Sequence, residues 1–292
     1  MSSTATGQLS EGLEDSRPSV FVKSFGLTDR GRVRASNEDH FLIAELARTL
    51  WVRQTSIPQP SMQHGRNRGH LFLVADGMGG HQAGEVASAL TVASIEAYIL
   101  HVLHRFSNLG ASDEHEVVRE LKSALRSADQ RIFAEAVHHP EFKGMGTTLT
   151  LAFISGWKLF VMHAGDSRCY LYRDGTLRQL TRDHTFAAEL ARNGVISPES
   201  VPTNRFRHLV TNILGGDCAG VEVEVQMETL ESGDCVFLCS DGLSDMLSLE
   251  RITTILNAEV DPERACKRLV FEANGEGGHD NITAIVAFLE TV

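Results

Sequence analysis

The sequence contains no run of 18 or more apolar residues, so no membrane-spanning helix is expected from it. Its first stretch, MSSTATGQLSEGLEDSRPSV, has neither a cationic start nor an apolar middle. No secretory leader is therefore expected in this stretch, and residues 1–18 read as a disordered tail. Cysteine is sparse: Cys169, Cys218, Cys235, Cys239 and Cys266 are an odd number with no C-x-x-C pair. They read as buried, reduced thiols of a cytoplasmic protein rather than as a disulfide framework or a zinc site. No proline-rich linker and no internal repeat divides the chain, so residues 19–292 read as one domain and a monomer. Basic residues are the minority, 27 against 38 acidic, for a formal net charge of −11. This argues against nucleic acid or an anionic membrane as partner, while clustered carboxylates would suit a divalent cation.

The apolar pattern sets the elements. VFVKSFGLTD (20–29), HFLIAEL (40–46) and LFLVAD (71–76) read as strands, with a long loop from Arg48 to His70 before the third. From Gln82 to about Arg105, and again from Glu114 to about His138, small and apolar residues recur at helical spacing. The period then changes to two in TLTLAFI (148–154), KLFVMHAGD (158–166) and RCYLYRDG (168–175), joined by turn residues. A helix over His184–Asn193, an irregular stretch to 216, the strand VFLCSD (236–241), two helices and the strand ITAIVAFLE (282–290) complete the order. Strands and helices in that succession predict a layered α+β fold rather than a regular βαβ wind.

Carboxylates recur where the apolar strands stop. Glu38–Asp39 precedes the second strand, Asp76–Gly77 ends the third, and Gly165–Asp166 follows FVMHA. Ser240–Asp241–Gly242 follows VFLC, and Asp280–Asn281 precedes the last strand. One Asp-Gly at a strand end is usually a turn. Several at once would converge on one rim of a sheet, and like charges packed together are costly unless a cation lies between them. Oxygen donors without Cys or His favour Mg²⁺ or Mn²⁺ over Zn²⁺. Gly77, Gly79 and Gly80 would let backbone approach an ion or phosphate closely.

Seven motifs, in order, carry a resemblance: VRASNED (33–39), VADGMGGHQAGE (74–85), GMGTT (144–148), HAGDSR (163–168), LTRDHT (180–185), LCSDGLSD (238–245) and GHDNITAIV (278–286). Together they resemble the metal-dependent serine/threonine protein phosphatases of the PPM (type 2C) family in its compact bacterial form, from about residue 20 onward. The resemblance implies a four-layer αββα sandwich: two antiparallel β-sheets flanked by pairs of helices. It implies two core Mn²⁺ or Mg²⁺ ions, bridged by Asp76, with the Gly77 carbonyl on one and Glu38, Asp241 and Asp280 completing the shell. Asp39 would support the site through water, and Asp166 with Asp241 would hold a third, weaker ion. Arg34 and Asp76 are the implied catalytic pair, Arg34 gripping the substrate phosphate. The reaction implied is direct hydrolysis of phosphoserine or phosphothreonine in proteins by a water between the two metals, with a Ser/Thr kinase as a functional partner.

The sequence departs from some relatives at Met78, where those carry a histidine thought to protonate the leaving alkoxide; His81 is the nearby candidate donor. Asn281 and Thr147 are expected to position the site and Arg168 to form a structural ion pair. Residues 184–216 match the family's flap, whose Arg205, Arg207 and His208 face either substrate or solvent. Two other readings stay open. GDSR (165–168) looks like the start of a serine esterase motif with Ser167 as nucleophile, and the chain could be a binding module that keeps the fold without the reaction.

Overall fold

The alternating apolar runs become two antiparallel sheets. The computed structural model describes residues 20–51, 62–79, 83–106, 114–217 and 219–291. The chain begins with strands β1 (Val20–Asp29), β2 (Asp39–Trp51) and β3 (Met62–Met78), then helices α1 (Ala83–Phe106) and α2 (Glu114–His138). Strands β4 (Gly146–Thr147), β5 (Leu149–Ser155), β6 (Lys158–Ala164), β7 (Arg168–Arg173) and β8 (Thr176–Gln179) follow, then helix α3 (Phe186–Arg192). The last part holds β9 (Leu214–Gly215), β10 (Glu224–Thr229), β11 (Cys235–Cys239), α4 (Asp241–Ser244), α5 (Leu249–Ala258), α6 (Pro262–Gly275) and β12 (Ile282–Thr291).

One sheet runs β1-β12-β11-β7-β8; the other runs β10-β6-β5-β3-β4-β9, with β2 also on β3. Three apolar clusters glue the layers in order. Phe72, Val74, Val161, Leu171, Leu238 and Ile285 fill the space between the sheets. Leu71, Leu73, Leu151 and Met162, on the other face of their strands, meet Ile95, Leu121 and Leu125 of α1 and α2. Phe237, Val286 and Tyr170 meet Ile252, Ile255 and Leu269 of α5 and α6. Alternate residues of one strand thus serve different cores, which is the period-two rule at work in a sheet buried on both faces. The result is the αββα sandwich expected. In α1, Ala83–Val102 has a mean hydropathy of 1.3, enough by length and composition alone to cross a membrane. Here those residues pack on β3 and α2, with Ala87 and Ile95 fully buried.

Cys235 and Cys239 share one face of β11 with Phe237, as their spacing of four requires. All four described cysteines are free and buried, and burial pushes the Cys239 and Cys266 thiols up to about 12. Cys218 lies outside the described residues, as do residues 1–19 with the expected tail.

The expected loop from Arg48 to His70 is corrected. Strands β2 and β3 continue as a hairpin ladder from Asp39↔Asp76 to Trp51↔Met62, with a register shift between Ala47 and Thr49. The β3–β5 ladder starts at Gly69, and before it Met62, Gln63, His64 and Arg68 pair with β2. The polar, glycine-containing QHGRNR shows no apolar alternation, which is why it hides its strand. Residues 52–61 lie outside the described residues. Strands β4, β8, β9 and β10 and helix α4 were also not expected; they are short, and the charged EVQMET of β10 occupies a sheet edge.

Candidate active site

Strand β3 ends inside its sheet, and its last residues form the floor of the site. Asp76 faces Asp39 across the β2–β3 ladder. Its backbone is held from the next strands: the Asp76 N–H donates to Thr148 Oγ1 at 3.1 Å, and its carbonyl accepts from Thr147 Oγ1 at 2.8 Å and Thr148 N–H at 2.9 Å. The other sheet contributes Asp241 just after β11 and Asp280 just before β12, and β11 and β12 are hydrogen-bonded neighbours. Asp166 sits in the turn between β6 and β7. Strand ends of both sheets therefore meet at one edge of the sandwich, around a cleft of about 980 Å³. Arg34, Glu38, Asp76, Gly77, Asp166, Asp241 and Asp280 all line it. Asp39 alone of the expected residues lies beneath, only 3% exposed.

The loop carrying Arg34 and Glu38 is pinned by Asn281. Its side-chain oxygen accepts from Glu38 N–H at 2.8 Å, and its amide donates to the Arg30 and Ser36 carbonyls, each at 2.9 Å. Thr147 and Asn281 thus hold backbone at the site, and Arg168 forms a two-pronged ion pair with Asp183 at 2.6 and 2.9 Å. Gly77 has a local reason beyond approach to a ligand. A Cβ there would overlap the Gly84 carbonyl and stand 2.8 Å from the Glu38 carbonyl oxygen. The start of α1 can lie flush on the strand end only because Gly77 has no side chain.

Among the described residues, protein cations only partly offset the charges at this edge. Arg34 reaches one carboxylate, donating from Nη2 to Asp280 Oδ2 at 2.5 Å. Asp39 Oδ2 accepts hydroxyl protons from Ser240 at 2.7 Å and Thr283 at 2.6 Å, but Asp39 Oδ1 and Asp241 Oδ1 are buried with no hydrogen-bond partner among the described residues. Asp76 and Asp241 lie within hydrogen-bond reach of one another, which needs a proton or a cation between two carboxylates. Burial, and then neighbouring carboxylates, hold Asp76 and Asp166 well above the usual carboxylate range. Burial lifts Asp39 to about 7 against the pull of its two hydroxyl partners, and lifts Asp241 to about 6 with Asp280 and Asp245 adding to it. Orphaned buried oxygens among oxygen-only donors fit a hard divalent cation.

Two groups at the cleft, Asp245 and His279, were not singled out from sequence. Asp245 stands one helical turn after Asp241, and the i, i+4 spacing was its available signal. His208 Nδ1 lies 3.5 Å from Asp245 Oδ2, and its ring nitrogen with oxygens of Asp241 and Asp245 are mutually within 4.8 Å. His279 and Met78 also line the cleft, whereas His81 and Gly80 lie outside the described residues. The esterase reading fails. Ser167 is fully buried, and its hydroxyl is 2.8 Å from Thr148 Oγ1 with no imidazole on it.

With this geometry in hand, comparison with known families is decisive. The family model described as Protein phosphatase 2C matches residues 58–270. The chain belongs to the protein phosphatase 2C family. This phosphatase 2C chain is 37% identical over 273 residues to the serine/threonine protein phosphatase PstP of Mycobacterium tuberculosis, covering 93% of the chain but only 46% of that relative. It is 31% identical over 259 residues to the serine/threonine phosphatase stp of Listeria monocytogenes, covering 89% of the chain and 92% of the relative. A crystal structure of the PstP catalytic domain in complex with two manganese ions superposes with a TM-score of 0.71 at 34% identity, covering 93% of this chain and 99% of that one.

The raised carboxyls of this phosphatase 2C chain make a pH prediction. A carboxyl whose folded pKa exceeds its unfolded value gives the folded state the greater proton affinity. Stability is then full below about pH 4 and is lost as pH rises through the folded values, about 6 for Asp241 and about 7 for Asp39. EDTA-treated protein is therefore expected to melt on the order of 5 °C lower at pH 8 than at pH 5.5, and added Mn²⁺ should restore the loss at pH 8. Scanning calorimetry in both buffers checks it; a flat or rising melting temperature in EDTA would contradict the cluster's electrostatics.

Proposed function

We propose that this chain is a metal-dependent protein serine/threonine phosphatase, hydrolysing phosphoserine and phosphothreonine by direct attack of water. The observation that carries this reading is the convergence of carboxylates from both sheets around a cleft that also holds Arg34, with buried, unpartnered oxygens on Asp241 at the cleft and on Asp39 beneath it among the described residues. In this reading Asp76, the Gly77 carbonyl, Glu38, Asp241 and Asp280 hold two Mn²⁺ or Mg²⁺ ions, Asp39 supports them from below, and Asp166 with Asp241 holds a weaker third. Such ions supply Lewis-acid chemistry, activating water near neutral pH and offsetting charge on the phosphoryl oxygens.

The chain's own residues orient the substrate. Arg34 contacts Asp280 through one nitrogen, leaving other N–H groups to pair with phosphoryl oxygens, a match of fork to oxyanion. Asp280 in turn aims that guanidinium at the carboxylate rim. Met78 offers no proton, so the leaving alkoxide is not protonated from that position. No phosphoenzyme is invoked: the described cysteines are buried in the cores, and Ser167 is engaged by Thr148. Phosphorylated proteins and a Ser/Thr kinase acting on the same sites are the partners of this reading, with the domain acting as a monomer in the cytoplasm. The names of the M. tuberculosis and L. monocytogenes relatives support the substrate class.

Purified protein with Mn²⁺ is expected to hydrolyse p-nitrophenyl phosphate and a phosphothreonine peptide, and to lose both activities in EDTA. Turnover that survives chelation would refute the metal assignment. No turnover with Mn²⁺ or Mg²⁺ would favour a binding module that keeps only the fold.

A further inference from the structure

Residues 184–216 bring Arg207, His208, Leu209 and Val210 to the cleft, and polar groups fasten this segment at both ends. At the far end Asp129, a carboxylate 2% exposed on α2, accepts from the N–H groups of Gly215 at 2.8 Å, Gly220 at 2.8 Å and Val221 at 3.3 Å. At the near end stands His184. Its backbone N–H donates to the Gly165 carbonyl at 2.8 Å, and its carbonyl accepts from Thr211 N–H at 2.8 Å.

The imidazole joins the same partners a second time. Nδ1 accepts from the Gly165 N–H at 3.1 Å and lies 3.1 Å from Asn212 Nδ2. The orientation of the Asn212 amide is fixed by Glu222: its oxygen accepts from Glu222 N–H at 3.1 Å and its nitrogen donates to Glu222 O at 2.7 Å. Both neighbours of Nδ1 are therefore donors, so Nδ1 carries no proton and Nε2 does. Nε2–H donates to Glu224 Oε2 at 3.2 Å, and Arg182 Nε holds the other oxygen of that carboxylate at 3.1 Å. The ring also stacks on buried His163, with centroids 4.8 Å apart. Gly165 has φ +118°, and a Cβ there would overlap the side chain of Thr148. The turn presenting Asp166 can thus have no side chain of its own at that position, and it is held through its backbone.

We infer that His184, as the Nε2–H tautomer, is a positioning residue that seats the 184–216 segment beside the cleft and ties it to the Gly165–Asp166 turn. This rests on the phosphatase reading only in taking the segment as a surface met by phosphoprotein substrates. The LTRDHT motif then has a physical content for its histidine: one ring nitrogen gathers two donors from two segments, and the other anchors to β10.

Full-length protein with Mn²⁺ tests it on two substrates and by limited trypsin digestion. His184→Ala is expected to raise KM for a phosphothreonine peptide about tenfold, the scale of one or two lost hydrogen bonds. The kcat for p-nitrophenyl phosphate should stay within about threefold, because that small ester has little reach to the segment. Trypsin should cut after Arg205 or Arg207 about tenfold faster, as the seat loosens. His184→Asn puts an amide oxygen where Nδ1 stands and should recover most of both effects; His184→Gln reaches the Nε2 position instead and should not. Asn212→Ala, at a half-exposed residue, should reproduce the KM change and the faster cleavage if the alanine variant of His184 fails to fold. The inference is overturned if Gln rescues as well as Asn, if both substrates lose equally, or if the trypsin rate is unchanged. An inactive wild type would sink the phosphatase reading instead, and the order of the trypsin rates would still decide the role of His184.

Discussion

Asp241→Asn is expected to lower turnover about a thousandfold, beyond the 10- to 100-fold that a supporting partner of a metal ligand usually costs. The substitution keeps the shape of the side chain and removes its charge. Asp241 is the residue on which the site's features coincide. It starts α4 with Ser240 alone between it and β11, shares hydrogen-bond reach with Asp76, and carries a buried oxygen with no hydrogen-bond partner among the described residues. The same substitution should stabilise the EDTA-treated protein at pH 8, by roughly 1–3 kcal/mol, because it removes a desolvated charge facing Asp280 and Asp245. Activity and stability then move in opposite directions, which misfolding cannot mimic. Steady-state kinetics with Mn²⁺ and melting curves in EDTA measure the two. A variant that is both inactive and less stable would mean Asp241 holds the fold together rather than an ion.

Gly77→Ala is expected to cost about 3 kcal/mol, at the upper end of overpacking penalties, and about 6–12 °C in melting temperature. The obstacle is backbone on both sides: the Gly84 carbonyl of α1 and the Glu38 carbonyl of the loop before β2. Neither is the free end of a flexible side chain, so the helix start must move off the strand end. That would also carry Glu38 away from Asp76, since the Gly77 N–H donates to the Glu38 carbonyl at 3.1 Å and Ser88 Oγ of α1 donates to the same oxygen at 2.6 Å. Mn²⁺ affinity should fall with stability in this variant, whereas Asp241→Asn separates the two. Calorimetric titration with Mn²⁺ alongside thermal melting checks the pairing; a stable Gly77→Ala protein with normal affinity would contradict it.

Strand ends were legible in the sequence because an apolar run that stops on a carboxylate is a physical anomaly. Asp76, Asp166 and Asp241 each follow such a run, and Asp280 precedes one. What joins them was less legible, since it depends on which strands are neighbours. The β2–β3 register puts Asp39 opposite Asp76, and the pairing of β11 with β12 brings Ser240 and Thr283 to the same Asp39 oxygen from positions more than two hundred residues along the chain. No local pattern encodes a contact of that range. The strand at 62–68 was hidden for a different reason: its polar run QHGRNR carries no apolar alternation. Gly77 was read for what a glycine permits toward an ion, while the structure adds what it permits toward α1. His184 was marked only as part of the LTRDHT motif, with no role readable from it, and Asp129 left no sequence signal: a single acid inside an amphipathic helix looks like an ordinary surface residue until its partners at 215 and 220 are in place.

The account stands on hard cations bound between these carboxylates, and anomalous diffraction from crystals grown with Mn²⁺ addresses that directly. At the manganese edge, two strong peaks are expected in the cleft, each about 2.0–2.6 Å from oxygens drawn from Asp76, Asp241, Asp280 and the Gly77 carbonyl. Crystals of active protein with no anomalous density among these oxygens, or with manganese bound only elsewhere, would contradict it.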